Sequence, residues 1–315
     1  MNLNPQKIIR KIGPNVDGRD FVVGDLHGCY DSLIGLLKYV KFNPSIDRLF
    51  STGDVTDRGP KPLESIGLLH KKWFFSVLGN HEEILLNKLN MIRNNQIQSF
   101  SNQELDFLNK VKIYEKNILD LPLIYEVEHL IHGKVYITHA EILPEHLMTN
   151  FEDHDNSWSI EYNKTIDAML KFDFTTQLES FFAKQSIHQN LSQNLSQKII
   201  WSRKIVNKFY NNNKQFIEKG NFSFLKENKF SQNLKIFCGH NIVPFPMKIG
   251  QQYYVDTGAA LGYSTKEIYA DLFSQFGNDF FSLSMTDITL GICYGSITSQ
   301  TNRGEIMKLE HSLYN

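Results

Sequence analysis

Three short blocks within the first 82 residues, Gly24-Asp25-Leu26-His27-Gly28, Gly53-Asp54-Val55-Thr56-Asp57-Arg58-Gly59 and Gly79-Asn80-His81-Glu82, each follow a hydrophobic run. Carboxylates, imidazole and a side-chain carbonyl at strand ends are the donor types that hold divalent cations. Two such ions lying close together need a ligand in common, and an aspartate with its two oxygens meets that need. Asp54 is the candidate bridge, with Asp25 and His27 on the first ion and Asn80 on the second. Two more imidazoles are then required. His139 follows the expected strand Val135 to Thr138, and His240 follows Lys235 to Cys238 across Gly239, so both stand at strand-to-loop junctions.

A water held by such a pair loses a proton near neutral pH, and the bridging hydroxide attacks phosphorus in line without an enzyme nucleophile. The leaving alkoxide needs a proton. His81, beside Asn80, is the candidate general acid, and Asp57 is placed to hold its imidazole and raise its pKa. Arg58 on the same turn suits the charge developing on phosphate, and Trp201-Ser202-Arg203 offers a second guanidinium. His154, between Asp153 and Asp155, reads as part of a solvated face, and Cys29 as a packing residue.

The elements that must position these groups alternate. Phe21 to Gly24, Arg48 to Gly53 and Phe74 to Gly79 read as strands, while Leu33-Leu36-Leu37-Val40, Leu63-Ile66-Leu69 and Ile84-Leu85-Leu89-Ile92 repeat at helical spacing. A βαβαβα run implies parallel strands with right-handed crossovers, which brings all three blocks to one edge of a sheet. Asn102 to Lys116 reads as a polar helix. Strands are expected at Leu123 to Val127, Lys134 to Thr138, Lys235 to Cys238, Gln252 to Asp256 and Ile288 to Cys293, giving a second half of antiparallel character. The expected fold is α/β, a two-sheet sandwich flanked by helices, in a single domain over 1–315 with a helical insertion at 144–197 and a second inserted segment at 264–279.

The chain of 315 residues has a formal charge of −1, so nothing global draws it to nucleic acid or an anionic membrane. Its three cysteines carry no paired spacing and imply no disulfide framework. Met1 to Gly18 lacks the apolar region of a secretory signal, and no apolar run approaches the roughly 20 residues that span a bilayer. A cytoplasmic protein is expected, or one delivered into a host cell without such a signal.

Together with Thr138-His139-Ala140, Gly239-His240 and Val255-Asp256-Thr257-Gly258-Ala259, these residues resemble the PPP-type metallophosphatases, in particular the bacteriophage-lambda-type serine/threonine protein phosphatases. The resemblance runs from Phe21 to about Tyr125, resumes over Lys134 to Glu141 and returns over Lys198 to Gly262. It implies metal ligands at Asp25, His27, Asp54, Asn80, His139 and His240, a general acid at His81, and phosphate-binding arginines at Arg58 and Arg203. It also implies a metallophosphoesterase-type β-sandwich with two divalent ions, manganese first and iron or zinc as alternatives. Phosphorylated proteins are the implied substrates. The insertion is longer than such compact phosphatases carry and stands as a candidate partner surface. Asn241 occupies a position where threonine is common. Two other readings remain beside this one: a dinucleoside polyphosphate hydrolase of the same fold, which usually resembles this pattern with alanine at Asp57, and an inactive binding module.

Overall fold

The computed structural model describes residues 9–143, 200–207, 235–249, 252–263, 281–298 and 303–313. The expected insertion at 144–197 and the inserted segment at 264–279 lie outside the described residues.

The alternating run folds as β2 (Asp20–Val23), α1 (Tyr30–Tyr39), β3 (Arg48–Ser51), α2 (Pro62–Ile66), β4 (Phe74–Ser76) and α3 (Asn80–Arg93), preceded by a strand β1 (Ile9–Ile12) that the sequence did not announce. The polar stretch forms α4 (Asn102–Val111) and α5 (Glu115–Leu119). Next come β5 (Ile124–His129), β6 (Gly133–Thr138), β7 (Lys235–Cys238), β8 (Met247–Ile249), β9 (Gln252–Tyr254), β10 (Ser282–Asp287), β11 (Ile292–Ile297) and β12 (Ile306–Ser312). Two six-stranded sheets result, ordered β1-β5-β6-β7-β9-β8 and β12-β11-β10-β2-β3-β4.

The period-2 alternation of each strand assigns its side chains to two layers. Val22, Phe50, Tyr125, Val135, Ile137, Phe237 and Tyr253 meet between the sheets. Their sequence neighbours Phe21, Val23 and Leu49 face outward and bury Leu33 and Leu36 of α1. Ile124, Tyr136 and Ile236 bury the other outer layer, built from α3, α4 and α5. β2 and β7 are covered on both faces and buried at every position, with apolar side chains after the charged first residues Asp20 and Lys235.

Two expectations are corrected. Of the expected strand Ile288 to Cys293, residues 288–291 form a chain reversal between β10 and β11, and only Ile292 and Cys293 are strand, opening β11: Gly291, at φ 68°, donates its N–H to the carbonyl of Asp287, and the N–H of Leu290 reaches the Asp287 carboxylate. A β-branched residue on each side of a tight turn imitates strand composition there. The second half is also mixed rather than antiparallel, because β7 runs parallel to both β6 and β9. The consequence matters for function. Parallel β2, β3 and β4 deliver their carboxyl ends to the same edge as β6 and β7, where the loops of both sheets converge.

Candidate active site

Each candidate ligand sits one to a few residues past a strand. Asp25 and His27 follow β2, Asp54 follows β3, Asn80 opens α3 after β4, His139 ends β6 and His240 ends β7. Asp25, His27 and Asp54 bring ligand atoms within 4.8 Å of one another, as do Asp54, His139 and His240, so Asp54 belongs to both groups. Eight of the ten residues singled out in the sequence line one cavity of about 270 Å³; the other two contact its lining, His139 through Asn80 and Asp57 through His27 and His81. Ile84, Trp201, Ile242 and Leu261 form an apolar wall beside it.

The backbone is strained where these side chains turn inward. Of seven non-glycine residues with positive φ among those described, five are His27, Asp54, Asp57, Arg58 and His240. Such conformations persist only where the surroundings over-determine them. Gly239 and Gly79 are required for a different reason. A Cβ on Gly239 would overlap the carboxylate of Asp25, and one on Gly79 that of Asp54.

The donor set fits divalent cations on three counts. The carbonyl of Thr52 can only accept, so His139 Nδ1 must carry the proton it donates at 2.7 Å. Burial pushes the pKa of His139 down and keeps the ring neutral. Its Nε2 lone pair therefore faces Asn80 Oδ1 at 2.8 Å, two acceptors that repel unless a cation draws them together. Nε2 of His240 is buried without a hydrogen-bond partner, and burial, with His139 and Arg203 nearby, lowers its pKa to about 2. Burial and the adjacent carboxylates of Asp256 and Asp54 also raise the pKa of Asp25 well above the usual value, a crowding of acids that a bound cation would relieve.

Asp57 does more than the sequence suggested. Its Oδ1 accepts from His27 Nδ1 at 2.9 Å and its Oδ2 accepts from His81 Nδ1, so one carboxylate orients a candidate ligand and the candidate acid together. Burial acts against its charge, yet hydrogen bonds from both rings hold its pKa below the carboxylate range. The Arg58 guanidinium donates to Nε2 of His81 at 2.7 Å and lies 3.2 Å from Nε2 of His27. For His27, burial alone would lower the pKa, but Asp54 and Asp57 outweigh it and raise it well above 6.5. A cation entering at His27 then displaces a proton. The manganese concentration for half-activation is therefore expected to rise as pH falls. Metal titrations of activity at several pH values read this directly, and a flat dependence would contradict it.

Three buried acids did not emerge as functional from the sequence. Asp256 reaches the cavity and accepts the N–H of Gly258 at 2.8 Å. Glu141 lies beside His139 and binds the segment that carries Arg203. Glu82, fully buried in the first turn of α3, accepts the N–H groups of Asp54 and Val55 at 2.8 Å and of Gly79 at 3.0 Å, tying the second block to the third. Burial and the Asp54 charge push its pKa up to about 8 despite those donors. Glu82→Ala would strand three buried N–H groups and release the Asp54 turn. A loss of at least about 2 kcal/mol in urea unfolding is expected, together with weaker metal activation; unchanged stability would show that the three bonds are dispensable.

A sandwich whose converging strand ends gather a carboxylate-imidazole cluster around a shared aspartate is the architecture of a metal-dependent phosphoester hydrolase. Residues 21–244 match the family model of the calcineurin-like phosphoesterases. The chain belongs to that family. Among curated relatives it is 52% identical over 66 residues to serine/threonine-protein phosphatase 2 of Salmonella typhimurium, which is 21% of this chain and 30% of that protein. It is 39% identical over 84 residues to serine/threonine-protein phosphatase 1 of the same organism, 27% of this chain and 39% of that protein. It is also 36% identical over 137 residues to a symmetrical bis(5'-nucleosyl)-tetraphosphatase of Actinobacillus pleuropneumoniae, 41% of this chain and 47% of that protein. The chain thus spans between 30% and 47% of the length of these relatives. No helix among the described residues is long and apolar enough to cross a membrane.

Proposed function

We propose that this chain is a metal-dependent protein phosphatase, a hydrolase acting on phosphoserine and phosphothreonine, with phosphotyrosine as a further substrate. The observation that carries this reading is the Asp57–His81 pair, in which a carboxylate holds a histidine that lines the cavity. Serine and threonine leave as alkoxides, which are strong bases and need a proton as the P–O bond breaks. A dinucleoside polyphosphate releases a phosphate anion, a far weaker base for which a held acid is of little use. The two named serine/threonine phosphatase relatives support the same choice, and the tetraphosphatase relative supports the competing one.

In this reading Asp25, His27 and Asp54 hold one divalent ion, and Asp54, Asn80, His139 and His240 hold the other. When bound, the ions supply the positive charge that acidifies water and offsets charge on the phosphoryl oxygens. The oxygen and imidazole donors suit manganese, with iron or zinc as alternatives. Arg58 and Arg203 take the outer phosphoryl oxygens. Arg58 gives up His81 Nε2 as it turns to phosphate, and that nitrogen takes a proton from solvent and passes it to the leaving oxygen, while Asp57 keeps the ring in place through Nδ1. The 144–197 insertion, on its sequence alone, is assigned to the choice of protein partner.

Side-by-side turnover of phosphoserine, phosphothreonine and phosphotyrosine peptides and of diadenosine tetraphosphate tests the substrate class. Higher kcat/KM on the serine and threonine peptides is expected. Preference for the dinucleotide would replace this reading with that of a dinucleoside polyphosphate hydrolase, and silence on every substrate with metal bound would make the chain a binding module.

A further inference from the structure

The segment 200–207 carries Arg203 into the cavity, and three of the hydrogen bonds that tie it to the rest of the fold meet on one side chain, while Trp201 Nε1 also reaches Glu83 at 3.4 Å. Glu141 is fully buried, and both its oxygens are occupied. Oε1 accepts the hydroxyl of Ser202 at 3.0 Å and the N–H of Ile205 at 2.8 Å, while Oε2 accepts the N–H of Val206 at 3.1 Å and the hydroxyl of Tyr254 at 2.8 Å. Three of these four donors flank Arg203 in sequence, one residue before it and two and three residues after it. Asn241 adds a further tie to the segment from the loop after β7, its Nδ2 donating to the carbonyl of Ser202 at 3.1 Å. That contact explains an asparagine where threonine is common.

Apolar packing alone would not fix the arginine. Ile205 and Val206 are buried with Leu143, Cys238, Val243 and Tyr254, a contact that holds the segment down but leaves its rotation and slide open. Hydrogen bonds on both sides of one residue remove that freedom, because they set the backbone from which the guanidinium projects. Arg203 itself is exposed, so its reach to the cavity depends on that backbone. We infer that Glu141 is the positioning residue for Arg203: it touches neither substrate nor metal, and its carboxylate sets the arginine's place over the phosphate site.

This inference rests on the proposed phosphate-binding role of Arg203, and a double-mutant cycle separates the two. Glu141→Gln keeps the volume but presents an amide N–H₂ to groups that are themselves donors. On a phosphoserine peptide, Glu141→Gln is expected to lower kcat/KM on the order of tenfold and Arg203→Ala on the order of 100-fold. The double variant is expected to fall within about twofold of Arg203→Ala, since a positioning residue has nothing left to position. Competitive inhibition by inorganic phosphate should weaken in Glu141→Gln, while the manganese concentration for half-activation stays unchanged. A general structural defect would move both. Tyr254→Phe, which removes one donor and keeps the carboxylate, should show a loss of about two- to threefold that also vanishes in the Arg203→Ala background. This second variant carries the test if Glu141→Gln does not fold.

Losses that multiply in the double variants would overturn the inference and leave the role of Arg203 standing. An Arg203→Ala enzyme with normal kcat/KM and normal phosphate inhibition would overturn the role of Arg203 and the inference with it.

Discussion

Asp54→Asn is expected to lower kcat/KM on phosphoserine peptides by about 10³-fold or more, because charge stabilisation by bound ions is worth several kcal/mol and each 1.4 kcal/mol is about tenfold in rate. Asp54 is the group common to both ligand clusters, so no other single change touches both ions. The amide keeps the size of the carboxylate and retains an oxygen to accept the N–H of His81, now 2.9 Å from Asp54 Oδ1, so the fold should survive. Bound manganese measured by elemental analysis should drop below two equivalents in parallel with activity. An Asp54→Asn protein that holds two ions and turns over normally would remove Asp54 as the bridge.

His81→Asn is the second large effect, and its dependence on the leaving group is more informative than its size. With an alkoxide leaving group, loss of a general acid costs about 10²–10⁴-fold. A nitrophenolate leaves without help, so the same substitution should cost little on an aryl phosphate. The metal complement should be unchanged, because His81 contacts Asp57 and Arg58 and stands outside the two clusters that share Asp54. Equal losses on both substrates would mean that His81 shapes the site without delivering a proton.

Much of this site is legible in the sequence because each donor lies at the end of its own hydrophobic run. Strand length and helical spacing over residues 20–94 are local properties, and they suffice to bring Asp25, Asp54 and Asn80 to one sheet edge. His139 and His240 are legible for the same reason, since each immediately follows a short β-branched or aromatic strand.

Tertiary pairing is what stays hidden. Glu82 reads as an ordinary acid in the first turn of a helix, yet its carboxylate serves a turn 27 and 28 residues earlier. Glu141 serves donors 61 to 113 residues away. A signal was present: a carboxylate inside the apolar run Ala140-Glu141-Ile142-Leu143 must be buried, and a buried carboxylate must find donors. The reversal at Ile288 to Gly291 was hidden because β-branched residues flank the turn, while Asp287 and Gly291, which make it, read as minor interruptions of a strand.

The most direct test is reconstitution of metal-stripped protein with manganese, following phosphate release from a phosphoserine peptide at each step. Activity absent from the stripped protein and rising to a plateau as the second equivalent binds is the result expected of a shared-aspartate site. Turnover that persists after the metal is removed, or that is complete with one equivalent bound, would contradict it.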